Sequence, residues 1–466
     1  MTAARIRTAL LVIGLGTLIA PLDTALNVAF PAITEAFAIP VRDIQWVITM
    51  FGLAQVGLTI SFGKIGDRYG HRRVFMAGLV VSAVALTLCA SAWSYPSLVV
   101  MRVLQGVGAG LLMACGPALV TLVLPAAQRR RALAFYTILM GLGMCLGPLI
   151  AGALVHWAGW PAVFWFRVPI ALVALAIIWR MPALEDNAEL QAARAQARRQ
   201  PLDKMGSVAL TVMLAALVFV LVQLRTPYLG YASLAVGLLI GWMALRLLSR
   251  ATRRAADPVI DLRHFARPRF RALQLVAVLI QATTFIIFLL MPYQLAAWPG
   301  LSLTAAGFVL AAFPAGTMLA GLLGGVLSDR LSAGHLVIGG CLLAVAGLLA
   351  GGWAGAQELL SLTVLALLST GFGLGMFLVG HLDATVSSMP IGDRGVAGSI
   401  VSVTRIVGIA ISANMLMWLH DGLRAGATAP ADYGRTFLVV GGLLLLGTVF
   451  YWLRFGRQEQ RAPASS

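Results

Sequence analysis

Residues 5–33 read RIRTALLVIGLGTLIAPLDTALNVAFPAI, an apolar run long enough to cross a lipid bilayer as a helix. The hydrocarbon of a bilayer requires about 20 apolar residues of helix. One carboxylate, Asp23, lies well inside this run, where a charge costs about 2.5 to 3.5 kcal/mol on insertion scales. Asn27 follows one turn later on the same helix face, and Pro21 can kink the helix beside the acid. Asp23 is therefore a candidate functional residue, although a hydrogen bond to a neighbouring helix would explain it equally well.

The composition predicts an integral membrane protein with many spans. Of the 466 residues, 60% are hydrophobic and only 11% are charged. A formal charge of +17 would suggest a nucleic-acid partner in a soluble chain, but the basic residues lie in short gaps between apolar runs, as the positive-inside rule predicts. We expect no nucleic-acid partner. Four cysteines without paired spacing predict neither a disulfide nor a metal site: Cys89, Cys115, Cys145 and Cys341.

Apolar runs predict an all-α fold of about fourteen transmembrane helices, arranged as two six-helix bundles plus two extra central helices. The runs lie near 7–30, 43–62, 73–93, 97–122, 132–155, 162–180, 205–224, 228–248, 270–292, 303–327, 333–353, 359–381, 395–419 and 434–455. The predicted domains are an N-terminal bundle (1–180), a cytoplasmic linker (181–204), two additional helices (205–248), a basic cytoplasmic connector (249–269), a C-terminal bundle (270–455) and a cytoplasmic tail (456–466). With fourteen spans, Arg and Lys lie on one side of the membrane, which the positive-inside rule makes the cytoplasmic side. We therefore expect a protein of the bacterial inner membrane with both termini in the cytoplasm.

A charged motif recurs in the two halves. Residues 63–73 read GKIGDRYGHRR and residues 325–331 read GVLSDRL, each after the second span of its bundle. Such repeats are typical of secondary transporters with two related bundles around a cleft. The first stretch resembles the signature of the major facilitator superfamily. That resemblance implies a conformational latch, in which the Asp67 carboxylate faces the positive end of a helix that begins near Gly395; a charged turn that only sets topology is the alternative. The latch candidates are Gly63, Asp67, Arg68, Gly70, Arg72, Arg73, Asp329 and Arg330.

The fourth span supplies a basic partner for the buried acid. It opens MRVLQGVGAG at residue 101, which places Arg102 and Gln105 on one face. By the 1.5 Å rise of a helix, Asp23 lies roughly 24 Å from the inner surface and Arg102 roughly 8 Å from the outer one, so both occupy the outer third. Arg102 could instead snorkel to water. A pair whose contact or hydration changed during transport would bind and release a proton, so we expect Asp23 and Arg102 to couple transport to protons.

The fifth and sixth spans carry two further patterns. Residues 141–152 read GLGMCLGPLIAG and resemble the antiporter motif of the superfamily, although glycine repeats in membranes more often serve packing. The motif residues are Gly143, Gly147, Pro148 and Gly152. The next stretch, WAGWPAVFWFRVP at 157–169, resembles the fourteen-helix drug/proton antiporter branch, with Arg167 where asparagine is usual. Arg167 lies near the outer end of its span, and we expect it to snorkel.

Three more stretches resemble the same branch: PLDTALNVAFPAI at 21–33, DPVIDLRHFARPRFR at 257–271 and GVAGSIVSVTRIVG at 395–408. Together the resemblances cover nearly the whole chain and imply multidrug efflux driven by protons. Candidate cleft residues are Asn27, Gln55, Gln105, Met140, Met144, Gln281, Phe285, Arg405 and Asn414, for which ordinary packing is the alternative. His381 and Asp383 form a possible inner-side site for protons or a cation, or else a hydrated interface.

These features favour a transporter powered by an ion gradient. The sequence has no phosphate-binding loop and no soluble domain large enough to hydrolyse ATP, so we expect no cofactor and a proton gradient as the energy source. We expect a lipophilic, cationic substrate, a lipid bilayer as surroundings and a functional monomer. The alternatives are a transporter of a cell metabolite, such as an amino acid or siderophore, and a membrane sensor that transports nothing. We do not expect an enzyme, because no nucleophile, base and orienting group share a plausible site.

Overall fold

The computed structural model describes residues 13–123, 129–180, 203–225, 230–254, 262–388, 394–423 and 429–456, and within these ranges the chain is helical and has no strand. Twelve helices in the described part of the chain are long and apolar enough to cross a membrane. Two more of the predicted spans are helical, Gln45–Tyr69 with 25 residues and Lys204–Arg225 with 22 residues, but neither is among the twelve. The fold is therefore an all-helical membrane fold.

The chain divides into two compact units. The first comprises Met1–Ala215 and Ala244–Asp257, and the second comprises Ala216–Met243 and Pro258–Ser466. The first unit begins with a helical segment at 13–18 and a 3₁₀ turn at Pro21–Thr24. Its α-helices are α1 (Ala25–Ala36), α2 (Gln45–Tyr69), α3 (His71–Ala90), α4 (Tyr95–Val123), α5 (Arg129–Ala158), α6 (Ala162–Trp165) and α7 (Arg167–Arg180).

The second unit is also built of helices. After α8 (Lys204–Arg225) and α9 (Gly230–Arg254), which are divided between the units, come α10 (Pro268–Ala296), α11 (Leu303–Arg330), α12 (Ala333–Ala356), α13 (Leu360–Ser387) and α14 (Arg394–Ile411). A π-helical turn at Ser412–Leu416 leads into α15 (Met417–Leu423), and α16 (Ala429–Tyr451) ends the unit. The predicted separation of 205–248 from both bundles stays a prediction.

Close contacts between helices depend on glycine. A Cβ at position 110 would lie 2.7 Å from the carbonyl oxygen of Gln55, and one at position 106 would lie 2.8 Å from the Cβ of Ala54. Neither distance leaves room for a side chain, so α4 approaches α2 as closely as it does because these two positions lack one. The approach matters because it brings the backbone of α2 within reach of the first turns of α4.

Candidate functional site

A short 3₁₀ turn holds the buried acid. The helix at 13–18 gives way to the turn Pro21–Thr24, in which the amide of Asp23 donates to the carbonyl of Ala20 over 3.1 Å. Proline has no amide to continue an α-helical ladder, so the predicted disturbance at Pro21 is confirmed. The turn places Asp23 with 13% of its side chain exposed.

Arg102 makes the predicted ion pair. Its Nη1 and Nη2 donate to Asp23 Oδ1 and Oδ2 over 2.9 and 2.7 Å, so the salt bridge is bidentate. Its Nε donates to the carbonyl of Val47 over 2.9 Å, and its guanidinium carbon lies 4.1 Å from the ring centroid of Phe51. With 1% of its side chain exposed, Arg102 is fixed by α2 and does not snorkel. The pairing of Asp23 with Arg102 is thus confirmed.

Gln105 completes this side of the cluster. Its Nε2 donates to Asp23 Oδ1 over 2.9 Å, and its Oε1 accepts from Arg102 Nη1 over 2.6 Å. Because α4 brings residues three apart to one face, Gln105 and Arg102 act on the same carboxylate. The predicted face of α4 therefore belongs to the site.

Arg167 corrects the sequence prediction. It was expected to snorkel toward water, but none of its side chain is exposed and its Nη1 donates to Asp23 Oδ1 over 2.7 Å. Its Nε donates to the carbonyl of Val163 over 3.0 Å, and the rings of Phe164 and Phe166 lie 5.5 and 5.9 Å from its guanidinium carbon. The prediction was wrong because Asp23 offers Arg167 a buried ion pair in place of water. The predicted span begins at 162, so Arg167 lies about five residues, or roughly 8 Å, inside it. That is the depth of Arg102, and the same argument could have found it.

The glycines of the fifth span pack directly on the turn that carries Asp23. A Cβ at position 143 would lie 2.6 Å from Cγ of Pro21, and one at position 147 would lie 2.8 Å from the amide nitrogen of Ala25 and would contact the Thr24 hydroxyl. That hydroxyl donates to the carbonyl of Met144 over 2.9 Å. The segment that resembles the antiporter motif therefore fixes the position of the acid. Pro148 and Gly152 continue α5 as buried residues.

The charges in this cluster do not cancel. Two guanidinium groups face one carboxylate, which gives a formal charge of +1. Within the described part of the chain, no other carboxylate contacts either arginine. The cluster is consequently a positively charged site with one exposed edge, at Asp23.

Arg72 connects the charged segment at 63–73 to the sixth span. Its Nη2 donates to the carbonyls of Ile178 and Trp179 over 2.7 and 3.2 Å, at the C-terminal end of α7. A cation there satisfies carbonyls that no longer have a partner in the helix and interacts favourably with the helix dipole. Gly70 separates α2 from α3 with φ 99°, a left-handed conformation that favours glycine.

The remaining latch candidates are located as follows: Arg68 is half-buried, Arg73 and Arg330 are exposed, and nothing lies within 4 Å of a Cβ built on Gly63. The side chains of Asp67 and Asp329 lie outside the described part, and so does the predicted contact of Asp67 near Gly395.

In the second unit, two of the polar cleft candidates, Gln281 and Asn414, are buried. Gln281 on α10 packs against α14, where a Cβ at Gly408 would lie 2.6 Å from its own Cβ. Asn414 lies in the π-helical turn with none of its surface exposed; its Nδ2 donates to the carbonyl of Ala410 over 2.8 Å, while its Oδ1 accepts no hydrogen bond. Arg405 is half-buried on α14. Such π-helical turns often occur at functional sites.

Phe285, a cleft candidate, packs with two other phenylalanines in the second unit. The ring centroids of Phe285 and Phe288 are 5.6 Å apart, and those of Phe288 and Phe313 are 5.0 Å apart at a right angle. In the first unit, Asn27 is buried but does not contact the Asp23 carboxylate, and Gln55, Met140 and Met144 are half-buried.

His381 and Asp383 do not form one site. His381 is buried, with Nε2 2.9 Å from Oε1 of Gln274 and its ring stacked on that of Phe377 at 5.3 Å. Gln274 donates in turn to the Thr385 hydroxyl over 3.3 Å. Asp383 is exposed on the opposite face of α13, because residues two apart in a helix do not face each other.

Comparison with known proteins gives one family. The model described as Major Facilitator Superfamily matches residues 13–413. The riboflavin transporter RibZ of Clostridioides difficile (strain 630) is 26% identical over 411 residues, which cover 86% of this chain and 85% of that protein. The tetracenomycin C resistance and export protein of Streptomyces glaucescens is 28% identical over 413 residues, covering 87% and 74%. The crystal structure of a POT family transporter in complex with 5-aminolevulinic acid is similar in fold, with a TM-score of 0.72, 14% identity and coverage of 98% and 96%.

Proposed function

Because the chain belongs to the Major Facilitator Superfamily and its relatives are transporters rather than enzymes, we propose that it exports lipophilic, drug-like compounds in exchange for protons. Its membership makes it a multi-pass membrane transporter of small molecules. Proton coupling and drug export are the proposed part. They are supported by the buried cluster of Asp23, Arg102 and Arg167 and by the similarity to a resistance and export protein.

The single observation that carries proton coupling is that three donor groups hold the Asp23 carboxylate inside the first span. Arg102, Arg167 and Gln105 donate four hydrogen bonds of 2.7 to 2.9 Å to its two oxygens. Removing one partner from a buried ion pair is strongly unfavourable. Any movement that separates the turn Pro21–Thr24 from α4 and α7 therefore favours the protonated acid, and its reversal favours proton release.

The packing of α5 on the turn supplies a way to move the acid. Gly143 and Gly147 contact Pro21, Thr24 and Ala25 without space for a side chain. A shift of α5 therefore displaces the turn with it, because such contacts cannot be compressed. Alternating access, in which one bundle moves against the other, would thereby change the surroundings of Asp23 in each cycle.

The substrate is proposed at the level of class. The similarity to a tetracenomycin C resistance and export protein favours drug-like compounds, whereas the similarity to a riboflavin transporter favours a cell metabolite as the second candidate. The sequence suggested a cationic compound, but the +1 charge of the cluster repels cations at this position, so a cationic preference is not part of the proposal. Phe285, Phe288 and Phe313 form an aromatic cluster in the second unit, but Phe288 and Phe313 are buried, so this cluster does not enter the substrate proposal.

The topology is proposed as well. If Gln45–Tyr69 and Lys204–Arg225 cross the bilayer in addition to the twelve apolar helices, the chain has fourteen spans. An even number places both termini on the same side of the membrane, and the concentration of Arg and Lys on that side makes it the cytoplasmic side. We propose that this membrane is the inner membrane of a bacterium and that its proton gradient, with no cofactor, drives transport. We further propose that one chain suffices for transport.

The test uses inside-out vesicles that carry the wild type or Asp23→Asn. After energisation, lipophilic cations, neutral antibiotics and metabolites such as riboflavin are added in turn while a fluorescent dye reports proton release from the lumen. Proton release that follows addition of a drug and is lost in Asp23→Asn supports the proposal. Release for a metabolite but for no drug overturns the substrate assignment, and unchanged release in Asp23→Asn overturns the coupling.

A further inference from the structure

We infer that the hydrogen-bond donors of Arg167 that Asp23 and Val163 leave unused bind a small, monovalent anionic group. The inference goes beyond the proposed function, since it concerns a binding site and not the direction or coupling of transport. It rests on the charge, the burial and the unused hydrogen-bond donors of Arg167.

The first step is a count of donors. A guanidinium group carries five N–H groups. Arg167 directs Nε to the carbonyl of Val163 and one hydrogen of Nη1 to Asp23, and its Nη2 has no hydrogen-bond partner among the residues that the structure describes. The remaining hydrogen of Nη1 and both hydrogens of Nη2 therefore have no acceptor. A buried donor without an acceptor is unfavourable, and more so when it is charged.

The second step shows that the neighbouring groups cannot supply the acceptor. Asp23 Oδ1 already accepts from Arg102, Gln105 and Arg167. The side-chain oxygen of Gln105 accepts from Arg102. The rings of Phe164 and Phe166, 5.5 and 5.9 Å from the guanidinium carbon, attract a cation through their faces but accept no conventional hydrogen bond. Asp23 Oδ2 accepts from Arg102 and not from Arg167. Within the described part of the chain, no group of the cluster therefore supplies the missing acceptor.

The third step identifies its charge. The cluster has a formal charge of +1, which one monovalent anion would cancel and which a neutral acceptor such as water would leave in place. A buried charge is tolerated when it is paired and hydrogen-bonded. The two hydrogens of Nη2, together with the remaining hydrogen of Nη1, can donate to a carboxylate or to a single halide ion through charge-assisted hydrogen bonds. The shared chemistry is a small monovalent anion, supplied either as a free ion or as the acid group of a transported compound.

Binding of this anion is linked to the charge of Asp23. Because the anion and the Asp23 carboxylate share Arg167, neutralising Asp23 removes a negative charge close to the anion and raises the net charge of the cluster from +1 to +2. Anion affinity should therefore rise in Asp23→Asn, by about tenfold or more. A purely structural role of Arg167 gives no such increase.

The experiment is a thermal unfolding titration of the purified full chain in one detergent. Sodium chloride, sodium formate and sodium benzoate are each exchanged against sodium gluconate, the reference salt, at constant ionic strength. The wild type is compared with Arg167→Asn, with Asp23→Asn, and with Arg180→Gln as the control. Arg180 is an exposed arginine at the other end of the same helix, α7.

The site is supported if an anion stabilises the wild type saturably, with a rise in Tm of about 2 °C or more. The same rise should occur in Arg180→Gln and be absent in Arg167→Asn. In Asp23→Asn it should be reached at a lower anion concentration. An effect of chloride and formate assigns it to a free ion, and an effect of benzoate alone assigns it to an organic acid. No saturable effect of any of the three anions in the wild type overturns the inference. An equal effect in Arg167→Asn also overturns it, because the anion then binds elsewhere. If Arg167→Asn does not fold, the shift in anion affinity between wild type and Asp23→Asn decides the question alone.

Discussion

The charge of the cluster predicts an unusual order of stability among its variants. Asp23→Asn removes the only carboxylate that the structure places against Arg102 and Arg167. Arg167→Asn instead removes the excess positive charge and leaves Asp23 paired with Arg102, which donates a hydrogen bond to each of its carboxylate oxygens. We therefore expect the loss of the acid to destabilise the protein far more than the loss of Arg167.

The magnitude follows from the distances. Nη1 of Arg102 and Nη1 of Arg167 lie 2.9 and 2.7 Å from the same oxygen, Asp23 Oδ1, so the two nitrogens are at most about 5.6 Å apart. At an effective dielectric constant of about 20, two positive charges at this separation repel by about 3 kcal/mol. Removal of one partner from a buried ion pair typically costs about 3 to 5 kcal/mol, and we expect Asp23→Asn to fall in this range.

Arg167→Asn loses its ion pair but also this repulsion and the burial of three unused donors, so we expect a change within about 1 to 2 kcal/mol of the wild type. The double variant Asp23→Asn/Arg167→Asn should be more stable than Asp23→Asn alone, by about 1 to 2 kcal/mol, because only one uncompensated arginine remains. This reversal is specific to a cluster with surplus charge.

The assay is thermal unfolding of each purified variant in the same detergent, followed by tryptophan fluorescence. We expect Asp23→Asn to lower Tm by about 5 °C or more, Arg167→Asn to lower it much less, and Asp383→Asn, which changes an exposed carboxylate, to leave it unchanged. The reasoning is refuted if Asp23→Asn is as stable as the wild type, or if the double variant is less stable than Asp23→Asn.

Three further predictions concern single contacts. Gly147→Ala should slow transport severalfold and lower Tm, because overpacking against the amide of Ala25 costs about 1 to 3 kcal/mol. The control Gly442→Ala, with nothing within 4 Å of the added Cβ, should change neither quantity, and equal transport rates in the two variants would contradict the prediction. Arg72→Gln should speed hydrogen exchange at the end of α7 about tenfold by releasing two carbonyls, and unchanged exchange measured by mass spectrometry would contradict it. Gln274→Leu should destabilise the protein by about 1 to 3 kcal/mol, because it removes the partner of buried His381. The double variant Gln274→Leu/His381→Leu should regain part of the lost Tm, and a Tm no higher than that of Gln274→Leu would argue against this pairing.

The depth of a residue along its helix could be predicted from the sequence, and depth was enough to pair Asp23 with Arg102. The same rule, applied to Arg167, would have placed it at the same level. It was instead assigned to the membrane surface because a single arginine near the end of a span usually snorkels. What the sequence did not reveal is that Arg167 faces Asp23, which gives the guanidinium a buried partner in place of water.

Contacts that depend on helix rotation could not be predicted. The glycines at 143 and 147 resembled a motif, but only the structure shows that they face Pro21, Thr24 and Ala25. His381 and Asp383 are close in sequence and were considered together, yet their helix turns them to opposite faces. Sequence spacing restricts which residues share a face, whereas the identity of the facing helix depends on how the bundle packs.

The central claim is that Asp23 couples transport to protons, and exchange in proteoliposomes tests it most directly. Purified wild type and Asp23→Asn are reconstituted, and a radiolabelled compound identified in the vesicle assay is followed in two modes: accumulation driven by an imposed pH gradient, and counterflow against unlabelled compound with no gradient. We predict that Asp23→Asn loses gradient-driven accumulation while it retains counterflow, because the binding and movement of substrate do not require the carboxylate to take up a proton. Accumulation at the wild-type rate in Asp23→Asn would contradict the account.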